Sequence, residues 1–166
     1  MAGGVAAITI VLSEKALEEL KRRVESEGKP LEELIGEAVF KQLNIADPEA
    51  KAELHLKLCE KYMCEAESLL AKKHYTQASE KAWGAASQIV KALAIREGKE
   101  LRSHASLWEY MDKIAEELED AELRHLWGRA NNLHQNFYEN WMPPREVELS
   151  IKDVKTLIEK LKAVVG

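Results

Sequence analysis

The sequence has no long uncharged apolar run, only two cysteines and no excess of basic residues. A membrane-spanning helix needs about 20 consecutive apolar residues, and no stretch of this chain approaches that length. The N-terminal apolar stretch is not preceded by the basic segment of a secretory signal. These absences predict a protein that is neither exported nor inserted in a membrane, and we expect it in the cytoplasm.

The few cysteines and histidines argue against a metal centre. Cys59 and Cys64 lie about 140° apart around a helix axis, so they cannot form a disulfide within one helix. Two cysteines are too few for a structural zinc site, and no histidine has companion spacing. Glu122 and His125 form a single Glu-x-x-His pair, whereas a di-iron bundle needs two. We therefore predict no metal and no other cofactor.

The net charge of −5 argues against extensive binding to the backbone of a nucleic acid, because such binding usually needs a basic surface. Any contact with nucleic acid must therefore be local. Lys and Glu are plentiful, whereas Asn and Gln are scarce outside residues 131–140.

The N-terminal part contains the only strand pattern. Residues 5–12, "VAAITIVL", alternate in the manner of a β-strand. Helix patterns follow over about 14–27, which ends at Gly28, and from Pro30 to about 44. Strand, helix, turn and helix in this order resemble the ribbon-helix-helix module, in which two chains pair their strands. We therefore predict a ribbon-helix-helix-like dimerisation arm over residues 1–46.

The same resemblance implies DNA binding through the outward side of the strand, but the residues there do not suit it. Ala7, Thr9 and Val11 are not base-reading side chains. Pro30 has no N–H to offer a phosphate at the start of the second helix. Residues 1–47 also hold six Lys or Arg against nine Asp or Glu. We expect dimerisation without DNA binding, and a DNA-binding regulator is the alternative.

The remainder, residues 47–166, has helical patterns alone. Asp47 and Pro48 are a strong helix start. Short connections between long amphipathic segments predict an antiparallel bundle. Its five helices are expected over about 48–72, 75–97, 104–119, 121–141 and 151–165, the last with a capping box at Ser150 and Asp153. The predicted fold is thus all-α: a five-helix bundle preceded by a strand-helix-helix arm.

Two stretches of the bundle carry a family resemblance. The helix "YTQASEKAWGAASQIVKAL" has a tyrosine at its start and small residues along its length, and "RANNLHQNFYENW" ends the fourth helix. Together they resemble the HEPN superfamily of helical nucleotide-binding domains. The string "LHQNFYE", residues 133–139, is similar to the archaeal PaREP proteins. The resemblance spans about 48–165.

The HEPN resemblance implies a metal-independent endoribonuclease whose motif is an Arg, four to six residues and a His. Arg129 and His134 match it, although Ala130 stands where active members usually have a polar residue. In that chemistry a histidine removes the proton of a ribose 2′-OH or delivers one to the leaving oxygen, and an arginine stabilises the negative charge that develops on the phosphate. The product would carry a 2′,3′-cyclic phosphate.

The helix wheel complicates this motif. Arg129 and His134 lie about 140° apart on a regular helix, on opposite edges of an apolar stripe. The stripe consists of Leu126, Ala130, Leu133, Phe137 and Trp141. The pair can meet at one phosphate only in a distorted helix or in a cleft shared by two chains. We therefore expect a homodimer through strand 5–12 and the polar helix 121–141.

Asparagine is a poor helix former, so its abundance in this helix indicates either ligand contacts or a polar structural seam. Asn131, Asn132, Asn136 and Tyr138 are the candidate binding residues for RNA or a nucleotide. The open alternatives are an RNA-associated protein or nuclease, and a non-catalytic binding or scaffold protein. Trp83 and Trp108 are expected in the core, and His55, His74 and His104 on the surface or at helix ends.

Overall fold

A computed structural model describes residues 7–165, which form seven α-helices and no β-strand. The chain divides into two compact units, with the boundary between Ile45 and Ala46. The first unit holds α1 and α2, and the second holds α3 to α7. The bounds are α1 Glu14–Glu27, α2 Leu31–Gln42, α3 Pro48–Ala71, α4 Tyr75–Arg96, α5 His104–Glu117, α6 Glu122–Glu139 and α7 Pro144–Val165.

The all-α prediction is confirmed, but the predicted strand-helix-helix arm with a five-helix bundle is wrong. Positions 7–12 of the predicted strand have no regular structure, and positions 5 and 6 lie outside the described residues. An alternating pattern becomes a strand only where a neighbouring strand completes its backbone hydrogen bonds. The part of the chain between residues 7 and 165 offers none.

The first unit is a helix pair whose ends follow from its local sequence. The Ser13 side chain accepts a hydrogen bond from the Ala16 N–H at the start of α1. Gly28 ends α1 with φ +64°, a left-handed conformation that suits glycine. Pro30 then precedes α2 with the extended backbone that a helix entry needs. The helices α1 and α2 pack against each other.

The second unit is organised around α4, which contacts α3, α5, α6 and α7. Small side chains make this possible, since Ala78, Ala82, Ala85 and Ala86 have no exposed surface. A Cβ added at Gly84 would lie 3.2 Å from Cδ2 of Tyr62 on α3, so the glycine permits the close approach of these two helices. Side chains on α4 can therefore reach three or four neighbouring helices.

The junction of α6 and α7 differs from the prediction. Asn140 ends α6 with φ +46°, and α7 begins at Pro144 and not near residue 151. Proline suits the first helical turn because its φ is already helical and its missing N–H would have no helical partner. Ser150, the predicted cap, is buried inside α7.

Residues 7–165 contain neither a membrane-spanning helix nor a cluster of metal ligands. None of the helices there is long and apolar enough to cross a bilayer. No group of three or more His, Cys, Asp or Glu side chains is arranged to hold a metal ion in this part of the chain. Cys59 is buried, which raises the pKa of its thiol to about 12, whereas Cys64 is exposed.

Candidate functional site

His134 on α6 is held by a carboxylate from α4. Its Nδ1 lies 2.9 Å from Oε2 of Glu80, and both side chains are half-buried. An ionised carboxylate can only accept a hydrogen bond, so Nδ1 of His134 carries the proton. In the neutral ring the other nitrogen, Nε2, then has a free lone pair and can accept a proton.

Further rings surround this pair and define what we call the histidine cluster: Glu80, Trp83, His104, His134 and Tyr138. Trp83 stacks against both imidazoles, with ring centroids 5.5 Å from His104 and 4.9 Å from His134. The two imidazole centroids are 5.1 Å apart, and Tyr138 meets His134 edge-on at 5.3 Å. Three helices, α4, α5 and α6, thus bring two histidines, a carboxylate and a phenol together.

The start of α5 fixes one side of this cluster. Ser103 and Ser106 form a reciprocal capping box, and His104 is the first residue of the helix. Partial burial lowers the pKa of His104 below its ordinary value, His134 and Lys91 lower it further, and Glu80 acts in the opposite sense. Partial desolvation and, to a smaller extent, Glu80 raise the pKa of Tyr138. The surroundings of His104 therefore favour its neutral form.

Trp108 extends the cluster along α5, because it lies one turn after His104. Its indole is 44% exposed, and its Nε1 donates to Oδ1 of Asn131 at 3.2 Å. Asn131 is itself anchored by its Nδ2, which donates to the Trp127 carbonyl at 2.8 Å. The expectation that Trp108 lies in the core is wrong: it is a surface ring held in one orientation from α6.

Arg129, the other half of the predicted motif, lies toward α7. Its Nε is 2.9 Å from Oδ2 of Asp153, and its Nη1 is 3.3 Å from Oε2 of Glu146. His134 meets α4 and α5 instead. The fold therefore does not bring Arg129 and His134 together within one chain, and Arg129 ties α6 to α7.

The remaining predicted binding residues take different roles. Asn136 is fully buried: its Nδ2 donates to Oγ of Ser79 at 3.1 Å, and its Oδ1 accepts from the Met142 N–H at 2.7 Å. It fixes the end of α6. Asn132 is half-buried, and Tyr138 is 72% exposed. Within residues 7–165, Asn131 is the one asparagine whose side chain is hydrogen-bonded to an exposed aromatic ring.

Sequence reasoning missed Glu80 and His104 and placed Trp108 wrongly. Glu80 is one of many acidic residues and sits beside no histidine in the sequence. His104 lies thirty positions before His134, so no short motif links them. The available signal was the spacing of His104 and Trp108, which puts both side chains on one face of α5.

Comparison with known proteins places this helical unit in a family. The model of the archaeal PaREP1/PaREP8 family matches residues 54–158, more than half of the chain. The chain belongs to the archaeal PaREP1/PaREP8 family. The region that matches this PaREP family contains every member of the histidine cluster as well as Trp108 and Asn131, and it excludes the first helical unit.

Solved structures also contain a related fold. A crystal structure of a protein from Sulfolobus solfataricus matches this PaREP chain with a TM-score of 0.59 and 25% sequence identity. The match covers 66% of this chain and 97% of the other. No curated protein matches the chain.

Proposed function

We propose that this protein binds RNA or a nucleotide, and that its contact surface is the histidine cluster together with Trp108. The observation that carries the proposal is the exposure of three flat rings, Trp108, His104 and Tyr138, around the Glu80–His134 pair. Aromatic rings at a surface bind unpaired bases by stacking, and each such base contributes about 1–3 kcal/mol. The resemblance of residues 48–165 to the HEPN superfamily supports the same class of ligand.

The charge around the cluster offers no strong attraction for phosphate, so a backbone phosphate that lies over it adds little to the affinity. Glu80 is acidic, the surroundings of His104 favour its neutral form, and the protein carries a net charge of −5. Affinity would therefore come mainly from stacking and hydrogen bonds to bases. Since few counterions would be released, binding is expected to weaken only slightly with salt.

Binding is tested with a fluorescent single-stranded RNA of mixed sequence, titrated with the full chain at low and moderate salt. Replacing His134 with Gln should weaken binding by at least about tenfold, because the ring stack and the bond to Glu80 are both lost. His125→Gln is the matched control, since His125 lies exposed on the same helix and should leave the affinity unchanged.

Two results would contradict the proposal. One is the absence of RNA and nucleotide binding by the natural chain. The other is an equal loss in the His125→Gln and His134→Gln proteins, which would indicate contact elsewhere on α6. Thermal unfolding of each variant shows that a lost affinity does not reflect a lost fold.

Metal-independent RNA cleavage is a second candidate, favoured by the orientation of His134. With Glu80 on Nδ1, Nε2 can take the proton of a ribose 2′-OH. The 2′-oxygen then bonds to phosphorus, the bond from phosphorus to the 5′-oxygen breaks, and the leaving oxygen takes a proton from an acid or water. The products are a 2′,3′-cyclic phosphate and a 5′-hydroxyl end. Within one chain, Arg129 is paired with Asp153 and Glu146 and lies away from His134. An arginine that stabilises this phosphate would therefore be the Arg129 of a second copy of the chain.

Cleavage is measured in EDTA, and the 3′ ends are analysed for cyclic phosphate. His134→Gln should reduce the rate at least about 100-fold, the usual contribution of a general acid or base. Glu80→Gln should reduce it less, since an amide can still orient the ring. Arg129→Gln should slow it only if the protein is a homodimer, which sedimentation of the same sample reveals. Equal rates in the natural and His134→Gln proteins would exclude this candidate.

A further inference from the structure

We infer that the surface takes two successive unpaired nucleotides of one RNA strand, with one base on Trp108, the other on Tyr138, and the joining phosphodiester over His104 and His134. This inference rests on the proposed function and specifies its ligand. It follows from the order of these residues along α5 and α6.

The order is set by helix geometry. Asn131, His134 and Tyr138 lie three and four positions apart, so they occupy one edge of α6. Asn131 holds Trp108, and His134 meets His104, so the two residues from α5 line up with the same edge. The surface is therefore a strip with Trp108 at one end, the two imidazoles in the middle and Tyr138 at the other end.

The length of the strip decides what fits. Tyr138 lies seven positions after Asn131, which is a rise of about 10 Å along the helix axis at 1.5 Å per residue. Stacked bases in a duplex strand lie about 3.4 Å apart. Two bases at the two ends of the strip must therefore be separated from each other, as in single-stranded RNA whose bases are splayed onto protein rings.

The end rings differ in how they are held. Trp108 is fixed by its hydrogen bond to Asn131 and by an edge contact with Trp127, whose ring centroid is 6.1 Å away. Tyr138 is more exposed, and it contacts His134 and Phe137 edge-on, with Phe137 at 5.0 Å. A preformed ring loses little freedom on binding, so Trp108 should provide the tighter of the two base sites. Asn131 is then a positioning residue for Trp108.

The test uses RNA hexanucleotides that share one backbone and differ only in how many bases they carry. One has a single adenine among abasic positions, a second has two adjacent adenines, and a third has two adenines separated by two abasic positions. A fourth carries all six bases. The second adjacent adenine should raise the affinity of the natural chain about 5- to 150-fold, the usual range for one base–ring stack. The separated pair should gain much less.

Variants locate the two bases. Trp108→Ala and Tyr138→Ala should each remove the gain from the adjacent second adenine. Trp141→Ala removes another exposed aromatic ring and should keep it, so it is the matched control. Asn131→Ala should weaken binding of two adenines, and its effect should vanish once Trp108 is already alanine.

The outcomes separate this inference from the proposed function. Binding of the hexanucleotide with six bases, without a gain from the second adjacent adenine, would overturn the inference and leave the proposed function intact. Equal binding of a duplex of the same length would also overturn it. Failure of the natural chain to bind any hexanucleotide would contradict both.

Discussion

Replacing Trp127 with alanine is expected to lower the free energy of unfolding by about 3–5 kcal/mol. Trp127 is the largest fully buried side chain, and its ring contacts Trp83 at 5.3 Å and Trp108 at 6.1 Å. Its loss leaves a cavity between α4, α5 and α6 beneath the histidine cluster. The measurement is urea unfolding, in which the midpoint should fall while the slope with urea stays constant.

Trp127→Phe is the matched control. Nε1 of Trp127 is buried and has no hydrogen-bond partner among the described residues, so the indole N–H contributes a desolvation cost. Phenylalanine keeps an aromatic ring and removes that donor, so its cost should be less than half that of alanine. Equal stability of the alanine and phenylalanine proteins would show that the cavity argument is wrong.

Replacing Asn136 with leucine should cost about 2–3 kcal/mol, even though leucine has a similar size and is apolar. The substitution leaves the Met142 N–H buried without its acceptor, and Ser79 loses one of its partners. Since the Met142 bond fixes the chain between α6 and Pro144, the turn into α7 should loosen as well. Urea unfolding gives the stability, and hydrogen exchange at Met142 reports the turn.

Asn132→Leu tests whether the cost belongs to that bond network. Asn132 lies four positions earlier on the same edge of α6 and is half-buried. Its replacement should change stability by less than about 0.5 kcal/mol, as for most surface substitutions. A similar loss in both variants would mean that leucine disturbs this helix edge for another reason.

The helices themselves were largely predictable. Asp47 and Pro48 start α3, and Gly28 ends α1, because caps and turn residues act on the backbone of their own few neighbours. The small side chains of α4 indicated a central helix, because they allow close packing whichever helix lies next to them. Positions 7–12 of the predicted strand were assigned wrongly, because a strand depends on a partner that its own pattern does not contain.

The helix wheel of α6 failed where the tertiary structure overrode the pattern. Phe137 and Trp141 belonged to the apolar stripe, yet they are 38% and 49% exposed, while Asn136 is fully buried. The helix ends at Glu139 and the chain turns away, so the stripe loses its neighbours there. Asn136 is buried because it supplies the hydrogen bonds that this turn needs.

The sequence was sufficient to predict the resemblance to the PaREP family, the all-helical class and the helix on which His134 lies. The side chains that His134 contacts depend on how the helices pack: His134 lies against Glu80 and His104, whereas Arg129 binds to acidic side chains of α7. The physical reason is the sequence distance over which each signal acts, because caps, turns and amphipathic periods involve only a few residues of one helix. The histidine cluster is made by the packing of three helices, and its members are separated by up to 58 positions in the chain.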